Sequence, residues 1–205
     1  MNDLNSVKAK LKRMSKLALK MWQMTHRTFM EHNAELISGI LEDENQLNNI
    51  EKEIATDVAA LGKYSSDKHA KEVAVIFAEV SGDFELIGDY CKDILERVQI
   101  KIEEKLLFAE ESVKEYEVLY SKTLEALDEI AFAFERGDLS LVKIVLKKEA
   151  HIDSLVDEYR KRHNERLIQG ICSPMACNMF LNMLDFTAAV YYHAKKIARN
   201  LLKIK

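Results

Sequence analysis

The amino-acid sequence predicts an all-α protein. The chain has 205 residues but only 6 glycines and a single proline, so few residues are available for tight turns between strands. Apolar residues make up 48% of the chain and recur at helical spacing over long segments. Long helices with short connections predict antiparallel bundles.

Six helices are expected in order along the chain, and polar caps, glycines and the proline set their limits. Asn33 is a typical N-cap, Gly62 and Gly137 are typical of helix ends, and Ser173 with Pro174 is typical of a helix start. The expected helices run from Leu4 to Glu31, from Asn33 to Gly62, from Ser65 or Ser66 to Phe108, from Glu111 to Arg136, from Asp138 to Gly170, and from Ser173 nearly to the C-terminus.

An internal repeat divides these helices into two groups of three. The segment ENQLNNIEKEI, which starts at Glu44, is matched by EAHIDSLVDEY from Glu149, and YCKDILE from Tyr90 is matched by HAKKIAR from His193. The sequence therefore predicts two tandem antiparallel three-helix bundles related by a pseudo-twofold repeat, at residues 1–107 and 108–205. The third and sixth helices are then equivalent.

Composition excludes several classes of function. The formal net charge of −4 gives no basic field for nucleic acid. The three cysteines, Cys91, Cys172 and Cys177, form no CxxC pair, which favours a reduced cytoplasmic compartment. No apolar run is long enough for a membrane span, and the N-terminus lacks the apolar core of a signal peptide. The natural protein could nevertheless be longer than this chain.

Carboxylates on the apolar faces of two neighbouring helices are the main candidate for chemistry. Helical spacing places Glu44 inside the apolar stripe of the second helix, with Asn48 on its edge. Glu85 and Asp89, four residues apart on the third helix, lie on the border of its apolar face. Such an oxygen-rich group suits magnesium, manganese or iron. The alternative is that these acids are solvated or paired with Lys and Arg and bind no metal.

The same construction in the fifth helix places Glu149 among apolar residues and Asp153 on the edge of the stripe. Other chemistry is disfavoured. No histidine stands three residues after a Glu, as a di-iron carboxylate bundle requires, and no phosphate loop, HExxH or GxSxG is present. We interpret His151, His163 and His193 as surface or core-edge residues, and Cys172 and Cys177 as small, buried or half-buried residues.

The helical segments resemble one family. FELIGDYCKDI, residues 84–94, resembles the ERIGDxAxNI signature of the PhoU family, which is associated with bacterial phosphate uptake, and ENQLNNIEKEI is similar to a second segment of that family. The likeness covers nearly the whole chain. RHNERLIQGICSP, residues 162–174, is similar to the cytoplasmic PhoU-like region of bacterial Na/phosphate cotransporters.

The resemblance implies metal clusters on the bundle surface. Their ligands would be Glu44 and Asn48 with Glu85 and Asp89 in the first repeat, and Glu149 with Asp153 in the second. Two positions depart from the family pattern. Leu86 replaces its arginine, and AAVYY, residues 188–192, has lost the acids of the second repeat. A metal is therefore expected in the first repeat, and the second repeat is expected to be weak or purely structural.

The expected function is that of a non-enzymatic regulator or accessory protein of phosphate transport and homeostasis. It would contact a membrane phosphate transporter or its signalling partner at the inner face of the cytoplasmic membrane, without inserting into the membrane. The cluster would take Fe, Mn, Mg or Zn. The alternative is a structural helical interaction module that binds no metal, and a homodimer is left open.

Overall fold

A computed structural model describes residues 4–147 and 151–204, and every regular element within these residues is helical. This confirms the predicted all-α class. The described residues form seven α-helices: α1 (Leu4–Glu31), α2 (Leu36–Tyr64), α3 (Lys68–Glu103), α4 (Glu110–Arg136), α5 (Lys143–Lys147), α6 (Ile152–Ile168) and α7 (Pro174–Leu201), with a short 3₁₀ turn at Leu139–Val142 before α5.

Local capping signals set several of the helix ends. The Ser173 side chain accepts a hydrogen bond from the Ala176 amide, with Pro174 at the first helical position, as predicted for α7. α4 ends at Gly137 in the left-handed conformation, also as expected. Helix α3 is capped by Asp67 and not by Ser65 or Ser66. The Asp67 carboxylate accepts a hydrogen bond from the Ala70 amide at the N-terminus of α3, and the Ser65 hydroxyl oxygen instead accepts one from the Asp67 amide.

Several predicted helix limits are wrong: α2 begins at Leu36 and not at Asn33, and α3 ends at Glu103 and not near Phe108. Gly62 does not end α2, which continues to Tyr64. The expected fifth helix from Asp138 to Gly170 is not one helix. It is divided into the 3₁₀ turn, α5 and α6, and His151, which precedes α6, has a left-handed backbone at φ 46°. No glycine or proline marks this interruption in the sequence, so periodicity alone extended the helix across it.

The helices pack as two groups that share one apolar core. Helix α1 packs against α2 and α3 in the first half, and α7 packs against α4 and α6 in the second. The halves meet where α3 lies along α7 and α1 along α4, and Trp22 of α1 stacks on Tyr120 of α4 at 5.7 Å between ring centroids. The predicted division at residues 107 and 108 falls in the connection between α3 and α4. As a domain boundary it stays a prediction.

Within residues 4–147 and 151–204, none of the helices has the combination of length and apolar character that crossing a lipid bilayer demands.

Candidate functional site

Four predicted ligands, Glu44, Asn48, Glu85 and Asp89, lie on the facing sides of α2 and α3, and we call them the α2–α3 carboxylate cluster. Glu44 is only 6% exposed, on the same face of α2 as the buried Ile40 and Leu47. Asn48, Glu85 and Asp89 are half-buried. The structure therefore places Glu44 within the packed face, as its position on the helical wheel predicts.

Gly88 allows α2 and α3 to approach closely behind this cluster. A Cβ atom added at Gly88 would lie 2.9 Å from Leu47 Cδ1, which is too close for a real Cβ contact, and 3.7 Å from Met21 Cε. Only glycine gives this room without a shift of the neighbouring side chains. The carboxylates on either side of Gly88 are thereby held beside α2.

The cluster concentrates negative charge. Burial raises the pKa of Glu85, and the charges of Asp89, Glu51 and Glu44 raise it further. Burial also raises the pKa of Asp89, followed by the charge of Glu44 and a hydrogen bond with it, while Lys92 acts in the opposite direction. Each raised pKa means that the surroundings disfavour the ionised form of that carboxyl group. A bound cation would remove that cost.

Asn48 adds an acceptor, its Oδ1 atom, to which no group donates a hydrogen bond. Its amide Nδ2 donates to Glu44 Oε1 at 3.0 Å, while its Oδ1 is buried without a hydrogen-bond partner. Buried polar atoms in proteins are nearly always satisfied, so an orphan acceptor at the centre of an acidic group indicates a missing donor or cation. The chemistry of these oxygens fits a hard cation such as Mg²⁺ or Mn²⁺.

Glu44 differs from the other buried acids of the described chain, which are Asp43, Asp57, Asp83 and Glu115. Each of those four has a cation close by. The Nζ–Oδ distances are 2.7 Å for Lys20–Asp43, 2.9 Å for Lys10–Asp57 and 2.9 Å for Lys196–Asp83, and Arg166 Nη2 lies 2.5 Å from Glu115 Oε2. In the Glu44 ion pair, Lys92 Nζ lies 3.8 Å from Glu44 Oε1. A surface lysine at that distance compensates little charge.

In this structure the carboxylate oxygens of the cluster are too far apart to coordinate one ion together. Within residues 4–147 and 151–204, three potential ligand atoms come within 4.8 Å of one another at a different place, formed by His163, Cys172 and Cys177. Sequence reasoning treated these two cysteines as packing residues and His163 as a surface or core-edge residue. His163 is instead 2% exposed.

The second predicted ligand pair is only partly described. Glu149 lies outside the described residues. Asp153 is exposed in the first turn of α6, where it lines an open pocket of about 390 Å³. The walls of that pocket on α7 include Ala188, Tyr192, Lys195 and Arg199. Lys195 and Arg199 therefore share this pocket with Asp153. Ala188 and Tyr192, which are equivalent to Glu85 and Asp89 in the repeat, carry no acid.

Sequence reasoning missed the charged joint between the halves. Asp83 of α3 is 1% exposed and its Oδ1 lies 2.8 Å from His193 Nδ1 and 2.9 Å from Lys196 Nζ, both on α7. His193 is buried here, which departs from its interpretation as a surface or core-edge residue. No local signal could have paired residues that are 110 and 113 positions apart.

The fold and the cluster together define a helical-bundle protein that carries acids and an amide on neighbouring helices. Residues 11–98 match the family described as PhoU domain. The segment FELIGDYCKDI, whose likeness to the family signature was noted from the sequence, lies within this match. The matched residues contain all four members of the α2–α3 carboxylate cluster.

One curated relative and two solved structures are similar to this chain over most of its length. A protein of Thermotoga maritima, named phosphate-specific transport system accessory protein PhoU homolog 1, is 23% identical over 174 residues, covering 84% of this chain and 74% of the relative. PhoU from Pseudomonas aeruginosa has the same fold with a TM-score of 0.89 at 18% identity, covering 98% of this chain and 96% of that one. The phosphate transport system regulatory protein PhoU from Streptococcus pneumoniae has a TM-score of 0.81 at 16% identity, covering 98% of this chain and 94% of that one.

Proposed function

We propose that this chain is a PhoU-like regulator or accessory protein of phosphate transport and phosphate homeostasis. The support is the PhoU domain at residues 11–98 and the likeness over 84% of the chain to a relative named as an accessory protein of a phosphate-specific transport system. The function is non-enzymatic, acting through contacts with a membrane phosphate transporter or its signalling partner at the inner face of the cytoplasmic membrane. The kinship of residues 162–174 with Na/phosphate cotransporter domains stays a prediction.

The α2–α3 carboxylate cluster is proposed to bind a metal ion. The observation that carries this part is the orphan Asn48 Oδ1 beside Glu44, a buried acid without the close cation that the other buried acids have. The ion would be held by the carboxylates of Glu44, Glu85 and Asp89 and by Asn48 Oδ1. It would supply positive charge that stabilises the ionised carboxylates and so sets the charge of the surface that a partner meets.

The neighbouring side chains suit a protein contact. Leu86 follows Glu85 directly and is 36% exposed, at the position where the family pattern has an arginine. An apolar residue beside a charged group is the common composition of a contact surface, where the apolar part supplies affinity and the charge supplies orientation. The loss of the arginine also leaves the acids without one nearby cation.

The second candidate is a structural helical interaction module that binds no metal. The observation that favours it is Lys92, whose ammonium approaches Glu44 Oε1 at 3.8 Å and partly balances its charge. In that case the acids would remain partly protonated or solvated and would make no selective site for a hard cation.

The test compares wild-type protein with the double variant Glu85→Gln and Asp89→Asn. Mn²⁺ binding is measured by the loss of the electron paramagnetic resonance signal of the free ion, because Mn²⁺ prefers carboxylates and is not selected by thiolates. We expect the variant to bind about tenfold more weakly or worse. The matched control, Glu103→Gln with Glu104→Gln, removes two charges from the end of α3 and should bind as wild type does.

The phosphate role has its own readout in cells that lack the gene. Phosphate uptake should be altered by the deletion, restored by the wild-type gene and by the control, and not restored by the double variant. Equal Mn²⁺ affinity of the wild type and the double variant would leave the structural module as the better explanation. Uptake that does not respond to the deletion would contradict the regulatory role itself.

A further inference from the structure

A second group of potential ligands lies at the junction of α6 and α7, far from the carboxylate cluster in sequence. His163, Cys172 and Cys177 each place one ligand atom within 4.8 Å of the others, and the two sulfur atoms are 2.9 Å apart. Both cysteines are free thiols. Two sulfurs and an imidazole are the ligand types of zinc sites in proteins.

The local fold brings these three residues together. Helix α6 ends at Ile168, and Gly170 reverses the chain with a left-handed φ of 71°, while the Ile171 amide donates to the Arg166 carbonyl at 2.9 Å. Cys172 then stands directly before the Ser173 cap. Cys177 points back from the first turns of α7, and its sulfur lies 3.8 Å from the His163 carbonyl oxygen.

The His163 imidazole has one nitrogen with no partner. The residue is 2% exposed, and its Nε2 is buried without a hydrogen bond. Its Nδ1 lies 3.4 Å from Ser112 Oγ. When Nδ1–H donates to the Ser112 hydroxyl, Nε2 carries the lone pair. A second ring nitrogen that is fixed by a protein acceptor is the usual arrangement for a metal-bound histidine.

We propose that Cys172, Cys177 and His163 form a binding site for a soft or borderline divalent cation of the zinc class. The two thiolates and His163 Nε2 are its protein ligands, and the fourth position faces solvent beside Cys172. Binding one ion releases the two thiol protons, so two thiolates replace two neutral thiols and balance the double charge of the ion. Cys172 is half-exposed and gives the ion a path from solvent.

The surroundings fit this assignment. Two thiolates on one tetrahedral zinc ion stand about 3.7 Å apart, given metal–sulfur bonds of about 2.3 Å. The present separation is less than 1 Å shorter, and Cys172, in the connection between the helices, can move outward by that amount. Arg166 lies 3.4 Å from His163 Nδ1 but is engaged with Glu115, so it adds positive charge near the thiolates without occupying Nε2.

Oxidation of the pair to a disulfide is a poorer explanation of the arrangement. A disulfide would leave the buried His163 Nε2 without a partner. A metal ion satisfies the nitrogen and stabilises both thiolates at once.

The experiment adds Co²⁺ to the full chain, reduced and free of chelator, after titration of the unfolded protein has shown three free thiols. Thiolate ligands give Co²⁺ an intense near-ultraviolet charge-transfer band that carboxylates do not give. We expect that band to saturate at one Co²⁺ per chain, to disappear on addition of Zn²⁺, and to be accompanied by release of about two protons.

The variants separate this site from the α2–α3 carboxylate cluster. Cys172→Ser changes a half-exposed residue and should remove the band while the far-ultraviolet circular dichroism stays the same. His163→Gln should weaken Co²⁺ binding. Cys91→Ala, and the double variant Glu85→Gln with Asp89→Asn, should keep the full band. A fully reduced wild type without the band, or an unchanged band in Cys172→Ser, would overturn the proposal and would leave the proposed function untouched.

Discussion

The α2–α3 pair and the α6–α7 pair occupy matching places in the sequence repeat, and they carry opposite chemistry. In the first pair, Gly88 lets Leu47 of α2 approach the backbone of α3, between Glu85 and Asp89. The repeat puts Tyr191, which is 6% exposed, at the position of Gly88. A buried aromatic ring therefore stands where the first pair has a glycine, and α6 and α7 border an open pocket.

The two helix pairs also differ in the charge of their side chains. Ala188 and Tyr192 stand where the first pair has Glu85 and Asp89, and Lys195 and Arg199 line the same pocket. A helix pair of this fold therefore forms with acids at these positions and also without them. The acids of α2 and α3 are not a requirement of the bundle. That contrast favours a role for them in binding.

The largest effect is expected where the two halves are joined by charge. Asp83→Ala removes the buried acid of α3 that contacts His193 and Lys196 of α7. Breaking a buried pair leaves the partner groups without an acceptor, and because Lys196 can regain water we expect a loss of about 2–3 kcal/mol in the free energy of unfolding. Urea unfolding followed by circular dichroism measures it.

The matched control is Asp185→Ala, which removes an acid of α7 that pairs with Arg160 on the protein surface. Its cost should be below about 1 kcal/mol, since exposed ion pairs contribute little. If Asp83→Ala costs no more than Asp185→Ala, the charged joint does not stabilise the contact between the halves.

A smaller effect is expected from the spacing of α2 and α3. Gly88→Ala forces the new methyl group against Leu47 Cδ1, at a cost of about 1–3 kcal/mol, while alanine regains about 0.5–1 kcal/mol of helix preference. The net expectation is a loss of about 1 kcal/mol in the free energy of unfolding, with weaker Mn²⁺ binding because the facing acids are pushed apart.

Gly82→Ala is the control for this substitution, because nothing lies within 4 Å of a Cβ atom there. It should raise the free energy of unfolding by roughly 0.5 kcal/mol through helix preference alone. Equal effects of the two substitutions would show that the close approach at Gly88 is not needed.

What could be predicted from sequence depended on whether the signal was local. Helical periodicity placed α1 to its limits and put Glu44 on the buried face, and Ser173 with Pro174 marked the start of α7. Periodicity failed at His151, which takes a left-handed backbone although no glycine or proline stands nearby to indicate it.

Contacts between distant helices gave no such signal. Asp83 looks like any acid on a long helix until α7 brings His193 and Lys196 against it. The group of His163, Cys172 and Cys177 is close in sequence, yet the three become neighbours only because the chain reverses at Gly170. The five-residue spacing of the two cysteines across a helix cap was the one available hint, and it matches no familiar metal motif.

The smallest effect concerns the charge of the acids themselves, and its sign depends on pH and metal. Burial and neighbouring acids raise the pKa of Glu85 and of Asp89 in the folded protein. At a pH between the ordinary and the raised pKa, Glu85 and Asp89 therefore bind more protons in the folded state than in the unfolded state. The resulting destabilisation is absent below the ordinary carboxyl pKa of about 4, grows as pH rises towards the raised folded values, and is complete above them.

Glu85→Gln with Asp89→Asn should accordingly raise the free energy of unfolding of the metal-free protein at pH 7 by about 0.2–0.5 kcal/mol, the size of an i, i+4 repulsion on a helix. The gain should vanish near pH 4. Saturating Mn²⁺ should reverse the order, because an ion that binds only the folded wild type stabilises it in proportion to the logarithm of its concentration over Kd. Unfolding curves at the two pH values, with and without Mn²⁺, measure all three effects. A variant that is less stable than wild type without metal would show that the acids serve the fold after all, as they do at Asp83.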